Sequence, residues 1–167
     1  MAILHAGWLP MGFGGPLVGW ISNRLGLRRP VLAGSLALTA LLWLTLALVP
    51  ALPLPALAIL YLALGAATAG MMIGFTLARE VSAPDTVGAA SGVVNTAMTG
   101  SGAMTQPLFG WLLDLQWDGI AANGVRVYAA SAYGHAALAF VAIQLIGIAL
   151  AFGLRETHCR PLTGGVR

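Results

Sequence analysis

Hydrophobic positions along this chain come in long unbroken runs, without the short-period alternation that marks half-buried strands or surface helices. From Pro30 to Ala78 there is neither a charged residue nor a histidine. Crossing the hydrocarbon of a bilayer takes about 20 mostly apolar residues in a helix, so this run holds two crossings. The segment PALPLP at 50–55 divides it, because proline ends one helix and suits the first turn of the next. The same reading predicts five membrane-spanning helices, at about residues 1–23, 31–49, 55–78, 86–113 and 133–154. In lipid every backbone polar group must be paired within the segment, which selects helices over open strands.

Composition excludes the alternative of a water-soluble globule. The chain of 167 residues is 59% hydrophobic and 8% charged, with a mean hydropathy of +0.88, whereas soluble domains carry roughly a quarter charged residues. So few charges cannot cover the surface of a domain this size. The expected fold class is therefore all-α, a polytopic membrane helical bundle. Residues 1–158 form the bundle and 159–167 a cytoplasmic tail.

Charge then orients the bundle. All eight basic residues are arginines. Five crossings put Arg24, Arg28, Arg29, Arg79, Arg155, Arg160 and Arg167 on one side. Only Arg126 lies on the other, together with Asp114 and Asp118. Short loops rich in basic residues stay cytoplasmic, which predicts an outside N-terminus and an inside C-terminus in a bacterial inner (cell) membrane. The arginines are too sparse and scattered for nucleic acid. Cys159 is the one cysteine, excluding an internal disulfide, and reads as a free thiol in a polar tail. The start, MAILHAGWLP, lacks the basic region of a signal peptide. Metal-ligand clusters, phosphate loops and cofactor motifs are missing from the sequence, so neither metal nor cofactor is expected.

An internal repeat narrows the kind of membrane protein. Residues 16–23 read PLVGWISN and residues 107–114 read PLFGWLLD. The two segments end spans one and four, three helices apart, so they cross in opposite directions. Inverted-topology repeats of that kind mark secondary transporters. Spans one and two then match spans four and five, and span three lacks its partner. The expected unit is three plus three, a six-helix half without its first helix.

The loop after span one, Gly19-Trp-Ile-Ser-Asn23-Arg24-Leu-Gly26-Leu-Arg28-Arg29, resembles the signature loop of the major facilitator superfamily. The likeness rests on Gly19, Ile21, Arg24, Gly26 and Arg28. It departs at Asn23, where aspartate is usual, and at Leu27, where a basic residue is usual. The stretch from Arg79-Glu80 through Ala89-Ala-Ser-Gly and Asn95 to Gln106-Pro-Leu-Phe-Gly-Trp-Leu-Leu-Asp114 is also similar to the tenth-to-eleventh helix region of these permeases. The resemblance implies helices eight to twelve of a twelve-helix permease that moves a small solute by alternating access. The preceding helices of the same transporter, the lipid bilayer and a small-molecule substrate would be its partners.

Candidate site residues follow. In the signature loop Gly19, Asn23, Arg24, Gly26, Arg28 and Arg29 supply close approach, a tight turn and charge, and Glu80 is expected to pair with Arg24 or Arg28 as part of a cytoplasmic gate. Orientation by the positive-inside rule alone is the compatible simpler reading of the arginines. Span four is the most polar. At helical spacing Ser91, Asn95, Thr99, Gly102 and Gln106 form one stripe, with Gly88, Gly92, Thr96 and Gly100 beside it. Asn95, Thr99 and Gln106 either bind a polar substrate or bond neighbouring helices. His5 and Trp8 are further substrate candidates, and His135 joins Tyr128 and Tyr133 in an interfacial belt. Gly65, Gly70 and Gly74 read as packing notches. Two other functions compete: a small self-assembling membrane protein without transport, and an intramembrane serine protease using Ser101 and His135. The protease motif lacks its first glycine, and the chain is expected not to be an enzyme.

Overall fold

The computed structural model describes residues 8–49 and 52–162, with side chains from Phe13 onward. Five helical rods run through these residues: α1 (Trp8–Leu25), α2 (Arg29–Leu48), a third rod of α3 (Leu54–Thr68) and α4 (Ile73–Val81), α5 (Val87–Asp114) and α6 (Ala130–Gly153). A 3-10 turn, Ala69–Met72, joins α3 to α4 without breaking the rod. Three rods, Arg29–Leu48, Leu54–Val81 and Ala130–Gly153, are both long and apolar enough to cross a bilayer by length and composition. The polar and glycine-rich content of α5 is what keeps that helix below the same criterion.

Helix ends follow local chemistry. Gly26 has φ +66°, and the backbone N–H groups of Gly26 and Leu27 donate to the carbonyls of Asn23 (3.3 Å) and Ser22 (3.2 Å). That pair of bonds is a Schellman motif, whose left-handed position glycine fills without a steric penalty. Proline stands in the first turns of α2 and α3, where its missing N–H costs nothing. Between α5 and α6 the chain makes a short hairpin, β1 (Ala121–Ala122) with β2 (Val125–Arg126), around Asn123 (φ 52°) and Gly124 (φ 77°). Two positive φ values in a two-residue loop are what a type I′ turn requires, and Asn-Gly is its preferred sequence.

Close contacts, together with the short connections between consecutive helices, fix the direction of every rod. A Cβ built on Gly14 would lie 2.6 Å from Ala69 Cβ, one on Gly70 would lie 2.1 Å from Ser35, and one on Gly134 would lie 2.9 Å from the carbonyl oxygen of Ala47. Gly147 meets Leu36, and Gly74 meets Val94. Rod α1 therefore runs parallel to the third rod. Helix α2 runs against that rod and against α6, while α5 runs against α4. It follows that α1 and α5 are antiparallel, and that 16–23 and 107–114 end at opposite ends of the bundle. The interior is built of small side chains, among them Ala33, Ala40, Ala67, Ala69, Ala132 and Ala136, all buried. Lipid gives helices no hydrophobic reason to associate, so close backbone approach and van der Waals contact hold them. The most extensive interface is α2 on α6. Large apolar side chains such as Ile59, Leu145, Ile146 and Leu150 point outward instead, as expected where the surrounding solvent is hydrocarbon.

Candidate functional site

At one end of the bundle the α1–α2 loop, the end of α4 and the segment after α6 are tied in a single polar knot. Its centre is an ion pair between Arg28 and Glu80, Nη2 to Oε1 at 2.7 Å, with side chains 6% and 10% exposed. Nε of Arg28 donates to both oxygens of the same carboxylate, at 3.1 and 3.2 Å. The guanidinium thus holds Glu80 side-on through two of its nitrogens, the geometry that makes arginine-carboxylate pairs strong and directional. Its third nitrogen, Nη1, donates to Ser22 Oγ at 2.9 Å, and that hydroxyl donates to Leu27 O at 2.7 Å. Thr157 Oγ1 donates to Glu80 Oε2 at 2.5 Å. Among the described residues no buried side-chain polar atom is left without a partner. The hydrogen bond to Glu80 raises the pKa of Arg28, against the lowering effect of burial.

A second carboxylate completes the knot in an unusual role. Helix α2 begins at Arg29 with no side-chain cap from Arg28 itself. Instead Glu156, over a hundred residues away, accepts the backbone N–H of Arg28 on Oε1 (2.8 Å) and of Arg29 on Oε2 (2.9 Å). A negative charge there also complements the helix dipole. The segment is tied further by Leu162 N donating to Glu80 O at 2.7 Å and by Cys159 Sγ donating to Ser22 O at 3.5 Å. Cys159 is thus a free thiol seated against the end of α1. Arg29 reaches the carbonyl of Leu154 at the end of α6 at 3.5 Å. Sequence reasoning missed Glu156, Thr157 and Ser22; the one available signal was an acid just after the last span.

Burial tends to raise the Glu156 pKa, but the backbone N–H donors of Arg28, Arg29, His158 and Thr157 outweigh it and hold the group below the ordinary glutamate value. A carboxylate depressed in the folded state stabilises at pH values above its unfolded pKa, and that contribution is lost as pH falls through the folded value. Acidification below the usual carboxylate range is therefore expected to loosen residues 156–162. Hydrogen exchange at the Leu162 amide, corrected for intrinsic rate, should accelerate in acid for the native chain and show little pH dependence in Glu156→Gln. Equal pH dependence in both would show that Glu156 is not the responsive group.

Other sequence candidates fall as follows. Arg24 does not pair with Glu80; it is exposed and sits over the Trp20 ring at 5.2 Å. A Cβ on Gly19 would meet nothing within 4 Å, so this glycine makes no close approach here, contrary to expectation. Asn23 is exposed and lends its carbonyl to the Gly26 turn. Asn95, Thr99 and Gln106 share an exposed face of α5, where a Cβ on Gly88, Gly92, Gly100 or Gly102 would also meet nothing within 4 Å. His5 lies outside the described residues, as does the side chain of Trp8. Ser101 donates to Met98 O at 2.8 Å, while His135 Nδ1 contacts Gln116 Oε1, so the two make no dyad. At the opposite, hairpin end Asp114 pairs with Arg126 (2.6 Å) and accepts from Tyr128 (2.5 Å), which raises the Tyr128 pKa. Tyr128 also packs edge-on against Tyr133.

A signature loop closed by a glycine Schellman turn, its arginine buried against a carboxylate from the third rod, sits at one end of an antiparallel bundle. A family model for the Major Facilitator Superfamily matches residues 2–163. The chain belongs to the major facilitator superfamily. It is accordingly an integral membrane protein of a transporter family, an all-α bundle of superfamily type. Members of the superfamily act on small molecules within the bilayer and are not, as a class, enzymes. No curated protein and no solved structure matches the chain.

Proposed function

We propose that the chain is part of a secondary transporter that moves a small polar solute by alternating access, with the Arg28–Glu80–Thr157 knot as a clamp on the cytoplasmic side. The observation that carries this reading is the buried ion pair joining three chain segments at one end of the bundle. A clamp that is intact in one state and broken in the other biases the equilibrium between them, since only differential contacts do so. Of the described arginines, Arg24, Arg28, Arg29, Arg79, Arg155 and Arg160 belong to this end and Arg126 alone to the other. That asymmetry supports a cytoplasmic knot and an outside N-terminus in a bacterial cell membrane. A two-fold relation exchanging α1 with α5 and α2 with α6 agrees with their antiparallel courses and with the extensive α2–α6 contact.

The open face of α5 supports two further parts of the proposal: Asn95, Thr99 and Gln106 line a solute path, and helices of the same transporter beyond these five stand opposite. A helix in lipid that exposes amides and hydroxyls must meet water, solute or another helix. Its test is thiol accessibility in membranes, on a Cys159→Ser background. Asn95→Cys and Thr99→Cys should react with a charged, water-borne maleimide on the order of ten times faster than Val93→Cys on another side of α5, because thiols ionise only where water reaches them. Equal inertness at all three positions, with reaction only after denaturation, would assign this face to helix packing and overturn the solute path.

A further inference from the structure

At the hairpin end, away from the knot, the outer turns of α2, α3, α5 and α6 line a half-open cavity of about 390 Å³. Trp43, Tyr61, Phe109, Tyr128 and Tyr133 give it five aromatic walls, and Ala137 also lines it. The walls are braced from behind. Trp43 stacks on Phe140 with centroids 4.7 Å apart, Phe109 meets the same ring edge-on at 5.6 Å, and Tyr128 meets Tyr133 edge-on at 6.2 Å. Packed rings of this kind are pre-organised, which spares a ligand the cost of ordering them.

The polar groups on these walls are what suggest an occupant. The Tyr128 hydroxyl is committed to Asp114. The Trp43 indole N–H and the Tyr61 and Tyr133 hydroxyls make no hydrogen bond to another described residue, and none is sealed from solvent. No charged side chain lines the cavity. The nearby charges, Asp114 and Arg126, neutralise each other at 2.6 Å, and Arg126 is drawn over Trp117 at 4.6 Å. An anion entering would lose its hydration and meet the negative faces of the rings, whereas a neutral ring would stack and still find donors and an acceptor. The volume falls within the range of small-molecule sites.

We propose that this cavity binds an uncharged aromatic molecule of one or two fused rings bearing a hydroxyl group. The test is fluorine NMR of the full chain in lipid nanodiscs, with 5-fluorotryptophan in place of tryptophan and the Trp43 signal assigned by its loss in Trp43→Phe. The probe is 2-naphthol. It should shift the Trp43 signal saturably while leaving those of Trp20 and Trp111 unmoved. Tyr61→Phe should weaken binding roughly three- to tenfold through loss of one hydrogen bond, and Ala137→Leu should abolish it by filling part of the cavity. The anionic analogue 2-naphthoate should produce no saturable shift at the same concentrations. A shift shared by all tryptophans and linear in probe would mean partition into lipid, and would overturn the proposal. Binding of 2-naphthoate as tight as that of 2-naphthol, or binding indifferent to both Tyr61→Phe and Ala137→Leu, would overturn it equally. Should Ala137→Leu fail to fold, the Tyr61→Phe and charged-probe comparisons still decide.

Discussion

Glu80→Ala is expected to destabilise the bundle by about 3–5 kcal/mol, the range seen when one partner of a buried ion pair is removed. The loss does not come from the attraction alone. Arg28, 5% exposed as a residue, would keep its charge with no carboxylate to face, and the Thr157 hydroxyl would lose its acceptor. Glu80→Gln keeps one acceptor and should cost less. The double variant Arg28→Met/Glu80→Leu leaves no orphaned charge and should recover most of the stability, because replacing a whole buried pair by apolar groups is often neutral. Thermal unfolding in mild detergent measures all three. If the double variant were as unstable as Glu80→Ala, packing around the knot and not charge pairing would be what holds it.

The same variants separate stability from gating. A clamp that exists in only one conformational state shifts the balance of states by its full differential energy, tenfold for each 1.4 kcal/mol or so. In the assembled transporter Glu80→Gln should therefore raise thiol accessibility at the knot end and lower it at the hairpin end. Unchanged labelling at both ends would leave the ion pair a structural tie only. The knot also makes the gate a three-segment device. Glu156 caps α2 while Thr157, the next residue, holds Glu80, so releasing the chain after α6 removes a helix cap and a hydrogen bond to the ion pair together.

How much of this was legible in the sequence depends on the range of each interaction. Helix α2 and the third rod could be read because charge-free runs and prolines are local signals, and the 3-10 turn at Ala69–Met72 could not, since it lies where Gly14 and Ser35 press on that rod. Glu80 could be nominated as the partner of an arginine because acids are scarce in this chain, and only two arginines of the loop were in question. The cap by Glu156 could not be read, because it joins positions 128 residues apart and replaces a local cap that α2 simply lacks. The hairpin is a different case. Asn123-Gly124 is a strong short-range turn signal, but it lay inside a loop treated only as a place for charges. Helical spacing assembles the polar stripe of α5, yet spacing alone does not tell which neighbour, solute or helix, the stripe faces.

Gly70→Ala is expected to destabilise the bundle by about 1–3 kcal/mol, the usual cost of overpacking, because its new Cβ would lie 2.1 Å from both Cβ and Oγ of Ser35. Neither atom belongs to a long flexible side chain that can swing away, so the third rod and α2 would have to part. Alanine is otherwise the better helix former by up to about 1 kcal/mol, so the observed loss understates the clash. Two comparisons isolate it. Gly88→Ala, on the open face of α5 where a Cβ meets nothing within 4 Å, should be neutral or slightly stabilising. Adding Ser35→Gly to Gly70→Ala removes both clashing atoms and should restore most of the stability, a coupling of about 0.5–3 kcal/mol in a double-mutant cycle. Additive losses in that cycle, measured by thermal unfolding, would mean that α2 and the third rod do not touch at Gly70, and the directions assigned to the rods would lose one of the contacts that fix them.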